Sequence, residues 1–556
     1  MNVSKINSLV ELYFNKANKI NEEKPFLQWL NPENNSVLRW KEVTEKILKL
    51  SFKIKNYINN GDRVLLLSEN RPEWLITDLA IMNAGGITVP IFTTYAEKDY
   101  EYIIRDCIPS LIIVSNNLQF KKIEKFINSV KVVSFENIKK EILTFENIFN
   151  EKYEKNINYS LNRKTPACII YTSGTSGNPK GVILSHGGIL SNCEGALELL
   201  QPILKKKNPV FLTWLPLSHS YEHTVQMIQI LLGAKVFYAE SLEKLISNMG
   251  KSKPTIMTAV PRFYQNLFTK ININFEKQKG LKKKLIFQTI KLGKKNLYKK
   301  KLTLLEKIQN FFCQMLVREK VKKQFGGNLQ AFVSGGGALD QNIGEFLNAI
   351  GLPTLQGYGL TETSPVVSCN LPGLVKVETV GPPFRNNKVK IASDGEILVK
   401  GENVMLGYWN QKTATDEVIK NGWLHTGDIG EIDSQGYLKI TDRKKDIIVN
   451  LGGDNISPSK IENILCLDEL IKQSFVYGDK KNYLVALIVV DKEIKKETIQ
   501  PVLERINKSL TLIEKVKKFI LIHEEFTIIN GMLTPTLKLK RKEIIKNYKQ
   551  QLENLY

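Results

Sequence analysis

The sequence predicts an α/β protein, with a large N-terminal domain of mixed α/β sheets and flanking helices and a small α+β C-terminal domain. Three observations carry this expectation. At 556 residues the chain exceeds what one hydrophobic core sustains. Strand-like and helix-like apolar periods alternate early in the chain, and the patterning changes character near Thr441 to Asp446. With 42% hydrophobic and 24% charged residues the composition is that of a folded globular chain, which excludes a disordered or low-complexity protein.

Taken in order, 62–67 reads as a strand, 73–84 as a helix, 87–92 as a strand, 97–106 as a helix and 111–115 as a strand. Such alternation predicts a parallel sheet covered by helices, with ligands beyond the carboxyl ends of the strands. The rhythm returns at 331–334, 341–350 and 353–356, so one α/β architecture is expected over the first four fifths of the chain. After 441–446 come a Gly/Asn/Pro-rich loop, a helix from Ser459, a hairpin-like pair at 474–477 and 484–490, and then helices to the end. The expected division is therefore 1–441 and 442–556.

Lys and Arg number 79 against 56 Asp and Glu, a net charge of +23, so an acidic partner is implied: nucleic acid, anionic lipid or a polyphosphate substrate. Between Lys270 and Lys323 seventeen basic residues face three acids, and this stretch holds most of the excess. Its apolar spacing is helical and amphipathic. The segment 270–325 is read as a basic helical insert, suited to an anionic membrane surface and equally to a solvated face. Nucleic acid is not expected, because aromatic interleaving and any nucleic-acid motif are absent.

The cysteines at 107, 168, 193, 313, 369 and 466 are dispersed and form no C-x-x-C pair, which argues against a zinc ribbon or disulfide framework and for a reducing compartment. Charges at Lys5, Glu11, Lys16 and Lys19 interrupt the N-terminus, so no signal peptide is read. The most apolar window, 74–92, is broken by Asp78, Asn83 and Gly85-Gly86, and no transmembrane segment is expected. The expected location is cytoplasmic, peripheral on a membrane if the insert meets lipid.

The strongest local motif is Tyr171-Thr-Ser-Gly-Thr-Ser-Gly-Asn-Pro-Lys-Gly-Val182, following an apolar strand-like run. Gly174, Gly177 and Gly181 allow close backbone approach, Thr172, Ser173, Thr175 and Ser176 offer hydroxyls, and Lys180 adds a charge: the chemistry of a phosphate cradle. It is not a Walker A loop, because Pro179 and Gly181 stand where that motif needs Gly and Ser/Thr.

This loop resembles the signature of the adenylate-forming enzymes, the group that includes acyl-CoA synthetases. Further motifs of that family follow in order: Leu215-Pro-Leu-Ser-His219, Ser334-Gly-Gly-Gly-Ala-Leu339, Gly357-Tyr-Gly-Leu-Thr-Glu-Thr363, Gly395-Glu-Ile-Leu-Val-Lys-Gly401, Trp423-Leu-His-Thr-Gly-Asp428, Asp442-Arg-Lys-Lys-Asp446 and Leu533-Thr-Pro-Thr-Leu-Lys538. The resemblance spans the chain from about residue 62.

The resemblance implies an ATP site made by the loop (Thr172, Ser173, Gly174, Thr175, Ser176, Gly177 and Lys180), by Gly335 and Gly336, and by Gly357, Tyr358 and Gly359. Tyr358 would stack on adenine. Thr361 and Glu362 would reach the phosphate and its Mg²⁺, with Thr172 as a second metal candidate, and one carboxylate beside substrate phosphates is how Mg²⁺ is usually held. Asp428 would take the ribose hydroxyls, supported by Arg443. Glycines flanking Tyr358 are expected to clear space for the base.

His219, after Leu-Pro-Leu, is expected to project towards the acyl carboxylate, and Glu222 and His223 are candidates for lining the acyl entrance. Lys538 is the implied adenylation lysine, neutralising charge between carboxylate and α-phosphate during in-line displacement. Lys540 is the alternative, because Leu537 stands where the family usually has Gly. Lys445 matches the hinge about which a mobile C-terminal domain turns. Asn450 stands where relatives often carry Lys.

The implied reaction has two steps: a carboxylate attacks the α-phosphate of Mg·ATP to give acyl-adenylate and pyrophosphate, then a thiol takes the acyl group and expels AMP. Asp442, the run 352–365 and the basic insert resemble long-chain fatty acyl-CoA synthetases, which implies a fatty acid, ATP and CoA as substrates. The alternatives are an acyl-acyl-carrier-protein synthetase, with the acidic carrier on the basic surface, and a short-chain or aromatic acid CoA ligase. A non-catalytic membrane or nucleic-acid binder on this fold is disfavoured by intact Thr361, Glu362, Asp428, Arg443 and Lys538.

Overall fold

The computed structural model describes residues 2–33, 35–172, 178–204, 208–534 and 537–556. The early alternation folds as its periods predict. Strands Arg63–Leu67, Ile87–Ile91, Leu111–Val114 and Lys131–Ser134 are parallel neighbours. Helix α1 (Pro72–Asn83) starts at Pro72, whose fixed φ suits a first helical position, and is stopped by Gly85 at φ +91°. Eleven of its twelve residues are buried, Glu73 being half-buried, so the apolar window that begins at Trp74 runs through the core. Among the described residues no helix is long and apolar enough to cross a membrane.

This eight-stranded sheet is completed by Leu143–Thr144 beside Lys131–Ser134, by β1 (Pro166–Thr172), which lies parallel to Ile87–Ile91, and by β2 (Lys180–Ser185) antiparallel to β1, with Gly407–Tyr408 on its edge. The Gly/Ser/Thr motif thus spans a β1–β2 hairpin, and its residues Ser173, Gly174, Thr175, Ser176 and Gly177 lie outside the described residues.

A second eight-stranded sheet has a parallel interior, including Val210–Thr213, Ile256–Ala259 and Ala331–Ser334, and an antiparallel hairpin at its edge formed by β3 (Thr354–Gly359) and β4 (Val366–Cys369). Helix α2 (Ser220–Leu232) is capped by the His219 side chain and closed by Gly233 at φ +65°. Its residues from Glu222 to Leu231 are buried, and it packs on the helix His186–Leu204. Between these strands the basic segment folds as helices, chiefly α3 (Gly280–Leu297) and α4 (Leu304–Cys313). Gly293 lets α3 lie against α5 (Gln341–Ala349), because a Cβ there would meet the Ala349 carbonyl at 2.4 Å.

Two expectations are corrected. The α/β rhythm does not continue to residue 441: from Lys388 to Arg443 the chain forms an antiparallel sheet that includes β5 (Trp423–Ile432) and β6 (Leu438–Arg443). The edge strand Lys388–Ile391 alternates polar and apolar positions, as strands with one solvated face do. Nor is the C-terminal part helical to its end. After the antiparallel pair β7 (Gln473–Tyr477) and β8 (Leu484–Val489), a third strand, β9 (Val516–Ile522), joins β8 in parallel before α6 (Arg541–Glu553). Its central partner β8 is buried along its whole length, and a parallel third strand is what satisfies the ladder on its open side.

Candidate active site

The carboxyl ends of β1 and β3, the middle of β5, the end of β6 and the loop before α6 come together. Thr172 ends β1, and its Oγ1 donates to the Lys180 carbonyl at 3.5 Å across the hairpin. Lys180 Nζ lies 4.9 Å above the ring of Tyr408, whose hydroxyl donates to Glu362 Oε1 at 2.9 Å. A chain of contacts therefore joins the phosphate-cradle motif to the candidate metal carboxylate. Tyr408 was not anticipated; the only signal was its place in an aromatic Gly407-Tyr-Trp409 run on the sheet edge.

Thr361 and Glu362 sit in the one-turn helix Thr361–Thr363 at the tip of the β3–β4 hairpin. Thr361 Oγ1 lies 3.2 Å from Ser220 Oγ, which brings the hairpin tip to the start of α2. The hairpin itself constrains its glycines. A Cβ on Gly359 would stand 1.8 Å from the Pro365 carbonyl oxygen, and one on Gly357 3.2 Å from that of Ser368. The returning strand therefore requires glycine at 359 and leaves little room for a side chain at 357.

Tyr358 donates from its hydroxyl to Asp428 Oδ2 at 2.7 Å, and Arg443 Nε stands 3.4 Å from Asp428 Oδ1. The β5–β6 register, which pairs Asp428 with Arg443, makes this contact. Burial pushes the Asp428 carboxyl up, against Arg443, the Tyr358 hydroxyl and Lys538, which pull it down. Lys444 pairs with Asp394 and Glu396, and Lys445 is exposed in the turn that follows Arg443. Asn450 is tied to Asp454 by two hydrogen bonds.

Gly335 lies against the Tyr221 ring, where a Cβ would come within 2.9 Å, and Gly336 has φ +79°. Tyr221 donates to the Val333 carbonyl at 3.1 Å, so an unanticipated aromatic side chain walls the glycine run. His219 accepts from the Tyr221 N–H on Nδ1 at 3.2 Å. Burial, with the Lys538 ammonium nearby, lowers its pKa to about 4, so the imidazole is neutral at ordinary pH.

Lys538 is accessible to solvent as a residue, held in a loop by Thr534 Oγ1, which accepts from its N–H at 3.0 Å. Its ammonium lies in the fields of Arg443, Asp428, Glu362 and Asp446. Loss of water and the Arg443 charge lower its pKa, and the three carboxylates oppose this. The alternative, Lys540, is the residue before α6. The adjacent Arg541 is an anchor: Nη1 reaches both Glu462 oxygens at 2.8 and 3.0 Å, and Nη2 donates to the Val476 carbonyl at 2.6 Å.

Two candidates are moved out of the site. His223 is fully buried between Asp78, at 2.8 Å from Nε2, and Cys168 Sγ, at 3.6 Å from Nδ1, and lines no entrance. Glu222 is 1% exposed and accepts from Thr258 Oγ1 at 2.7 Å. Both face into the core because α2 is buried on nearly every side.

A family model described as AMP-binding enzyme matches residues 14–409, and one described as AMP-binding enzyme C-terminal domain matches residues 445–556. The chain is 31% identical to the long-chain-fatty-acid–CoA ligase FadD15 of Mycobacterium bovis, covering 90% of this chain and 88% of that one. It is 30% identical to long-chain-fatty-acid–CoA ligase 5 of Rattus norvegicus, covering 99% and 90%. Among solved structures it resembles o-succinylbenzoate CoA synthetase (MenE) from Bacillus subtilis in complex with the acyl-adenylate intermediate OSB-AMP, with TM-score 0.73 at 19% identity over 97% and 98% of the two chains. The same enzyme in complex with ATP and magnesium ion aligns with TM-score 0.71 at 21% identity, over 96% of this chain and 98% of that one. At these identities the likeness shows the fold.

Proposed function

The chain belongs to the AMP-binding enzyme family, and from that premise we infer that it is a long-chain fatty acid–CoA ligase. Relatives of that name align with it at 30 to 31% identity over nine tenths of the chain or more. The substrates are a fatty acid, ATP and coenzyme A. The first half-reaction gives acyl-adenylate and pyrophosphate, and the second gives the thioester and AMP.

The observation that carries the site assignment is that Lys538, Glu362, Asp428 and Arg443 stand within one another's fields, with neutral His219 beside them. In this reading Lys538 neutralises charge between the substrate carboxylate and the α-phosphate, an electrostatic role worth several kcal/mol (roughly 3) in preorganised sites. Neutral His219 faces the acyl carboxylate without adding charge. Tyr358 stacks on adenine, Asp428 with Arg443 holds the ribose, and Thr172, Lys180, Gly335, Gly336 and the motif residues 173–177 take the phosphates. Glu362 and Thr172 offer hard oxygen donors, a set that fits Mg²⁺ shared with substrate phosphates; the ion would supply charge neutralisation there. No protein nucleophile is required, since orientation carries most of the catalysis.

Two domains, 1–441 and 442–556, are proposed to turn about Lys445 between half-reactions. The break between the two family matches and the turn after β6 support a boundary close to Arg443. Coenzyme A is the proposed acceptor, and the basic helical segment is the proposed contact with an anionic membrane surface. Carboxylate-dependent AMP release from Mg·ATP and CoA, across acids from acetate to oleate and benzoate, tests the reading. A long-chain maximum supports it. Turnover of acetate or benzoate alone would overturn the substrate class, and turnover with acyl carrier protein but not CoA would overturn the acceptor.

A further inference from the structure

Helix α4 is amphipathic with its faces exchanged. Its polar side chains point into the protein: Gln309 Oε1 accepts from Gln288 Nε2 at 2.6 Å, Glu306 pairs with Lys295, and Asn310 Oδ1 accepts from Arg318 Nη1 at 2.9 Å. Its apolar stripe points out. Leu304, Ile308, Phe311 and Phe312 are 77, 52, 60 and 48% exposed, and Met315 continues the stripe one turn further. On α3, Phe287 is also exposed, over an open groove flanked by Lys284 and Lys291. A contiguous bulky apolar stripe left exposed to water over a satisfied polar face marks an interaction surface.

The surroundings select the occupant. Exposed lysines rim the stripe: Lys284 and Lys291 on α3, Lys299, Lys300 and Lys301 in the connection, and Lys307 on α4 itself. An apolar stripe between basic residues is the combination that seats a helix in the plane of an anionic bilayer. A second copy of this chain would bring the same positive field against itself. An acidic carrier would answer the lysines but leave the phenylalanines and leucines in water.

We propose that the outward face of α4, with Phe287 and the flanking lysines, is the docking surface for an anionic bilayer: the stripe enters the boundary between headgroups and acyl chains and the lysines meet lipid phosphates. The proposal rests on reading the basic segment as a membrane contact, and it adds which face makes that contact and that the face inserts, about 5–10 Å deep.

The test is co-sedimentation of the full chain with vesicles of phosphatidylcholine alone and with one third phosphatidylglycerol. It compares the wild type, a variant carrying Ile308→Ser, Phe311→Ser and Phe312→Ser, and one carrying Lys299→Gln, Lys300→Gln and Lys301→Gln. The wild type is expected on anionic vesicles, with each variant weakened on the order of tenfold or more while vesicle-free CoA ligation and thermal melting stay unchanged. On the same vesicles the indole of a Phe311→Trp variant is expected to blue-shift and to be quenched by lipid-borne quenchers. Wild type that binds no vesicle overturns the membrane reading itself. Wild type that binds while the serine variant binds equally and the indole stays in water overturns the face assignment alone. A dimer, or a complex with acyl carrier protein, that only the serine substitutions dissolve would replace the bilayer with a protein occupant.

Discussion

The Tyr358 hydroxyl donates to Asp428 Oδ2 at 2.7 Å, closing the carboxylate assigned to ribose with the side chain assigned to adenine. A nucleotide must exchange this bond for its own. Tyr358→Phe removes the competitor and keeps an aromatic face, so its KM for ATP is expected within about threefold of wild type or below it. Asp428→Ala removes a charged acceptor, and hydrogen bonds to charged groups are worth about 1.5–3 kcal/mol, so KM for ATP should rise roughly ten- to a hundredfold. Steady-state KM values decide; a tenfold loss in Tyr358→Phe would make the hydroxyl a ligand instead.

Lys538→Ala should lower acid-dependent pyrophosphate exchange on the order of a hundredfold or more, as loss of one preorganised electrostatic group does. Thioester formation from supplied acyl-adenylate should change only a few-fold, as expected of a lysine proposed to serve the first half-reaction. Lys540→Ala, altering the residue before α6, should leave both within a few-fold. An equal loss in both half-reactions for Lys538→Ala would point to misfolding of the loop, and the reverse pattern would reassign the role to Lys540.

Glu222 carries a proton-dependent stability term. Its Oε1 has no hydrogen-bond partner among the described residues, and burial pushes its carboxyl from 4.5 up to about 7, against hydrogen bonds from Thr258 and Thr213. The folded state holds the proton more tightly than the unfolded, so this contribution is complete below about pH 4.5 and is lost as pH rises through about 7. The loss is on the order of 3 kcal/mol. Glu222→Gln should therefore melt above wild type at pH 8 and lose that advantage at pH 5. A pH-independent difference in thermal melting would remove the carboxyl as its source.

Gly359→Ala tests the hairpin. A Cβ placed 1.8 Å from the Pro365 carbonyl oxygen meets backbone, which cannot swing aside, so the β3–β4 tip carrying Thr361 and Glu362 must move. Adenylation is expected to fall by about a hundredfold or more, since small misplacements cost that much. Gly373→Ala, with open space around it, is the comparison and should keep activity despite its φ of +75°. Equal activities of the two variants would show that the hairpin tolerates the shift.

Much of the candidate site was legible because the residues proposed for it stand in short runs. Thr361 and Glu362, Asp428, Arg443 and Lys538 each sit in a motif whose residues are close in sequence, and the alternating periods from 62 to 115 matched the strands and helix α1 within a residue or two at most boundaries. The third C-terminal strand was missed because 516–522 alternates poorly, Lys517 and Lys518 being adjacent; what makes it a strand is the unsatisfied edge of buried β8 beside it. His223 and Glu222 read as entrance residues from their place after His219, but only packing on every side of α2 could reveal that they face the core.

The amino-acid order by itself determined the succession of elements, the family motifs and the concentration of positive charge in one segment, since periodicity, turn chemistry and charge are local properties. Tertiary structure alone decided which side chains meet. Tyr408 reaches Glu362, Tyr221 covers Gly335, and Gly359 is needed because a strand returns beside it. It decided, too, that the apolar stripe of α4 faces solvent. A 3.6-residue period states that a helix has two unlike faces, and only the rest of the fold states which of them is turned towards the core.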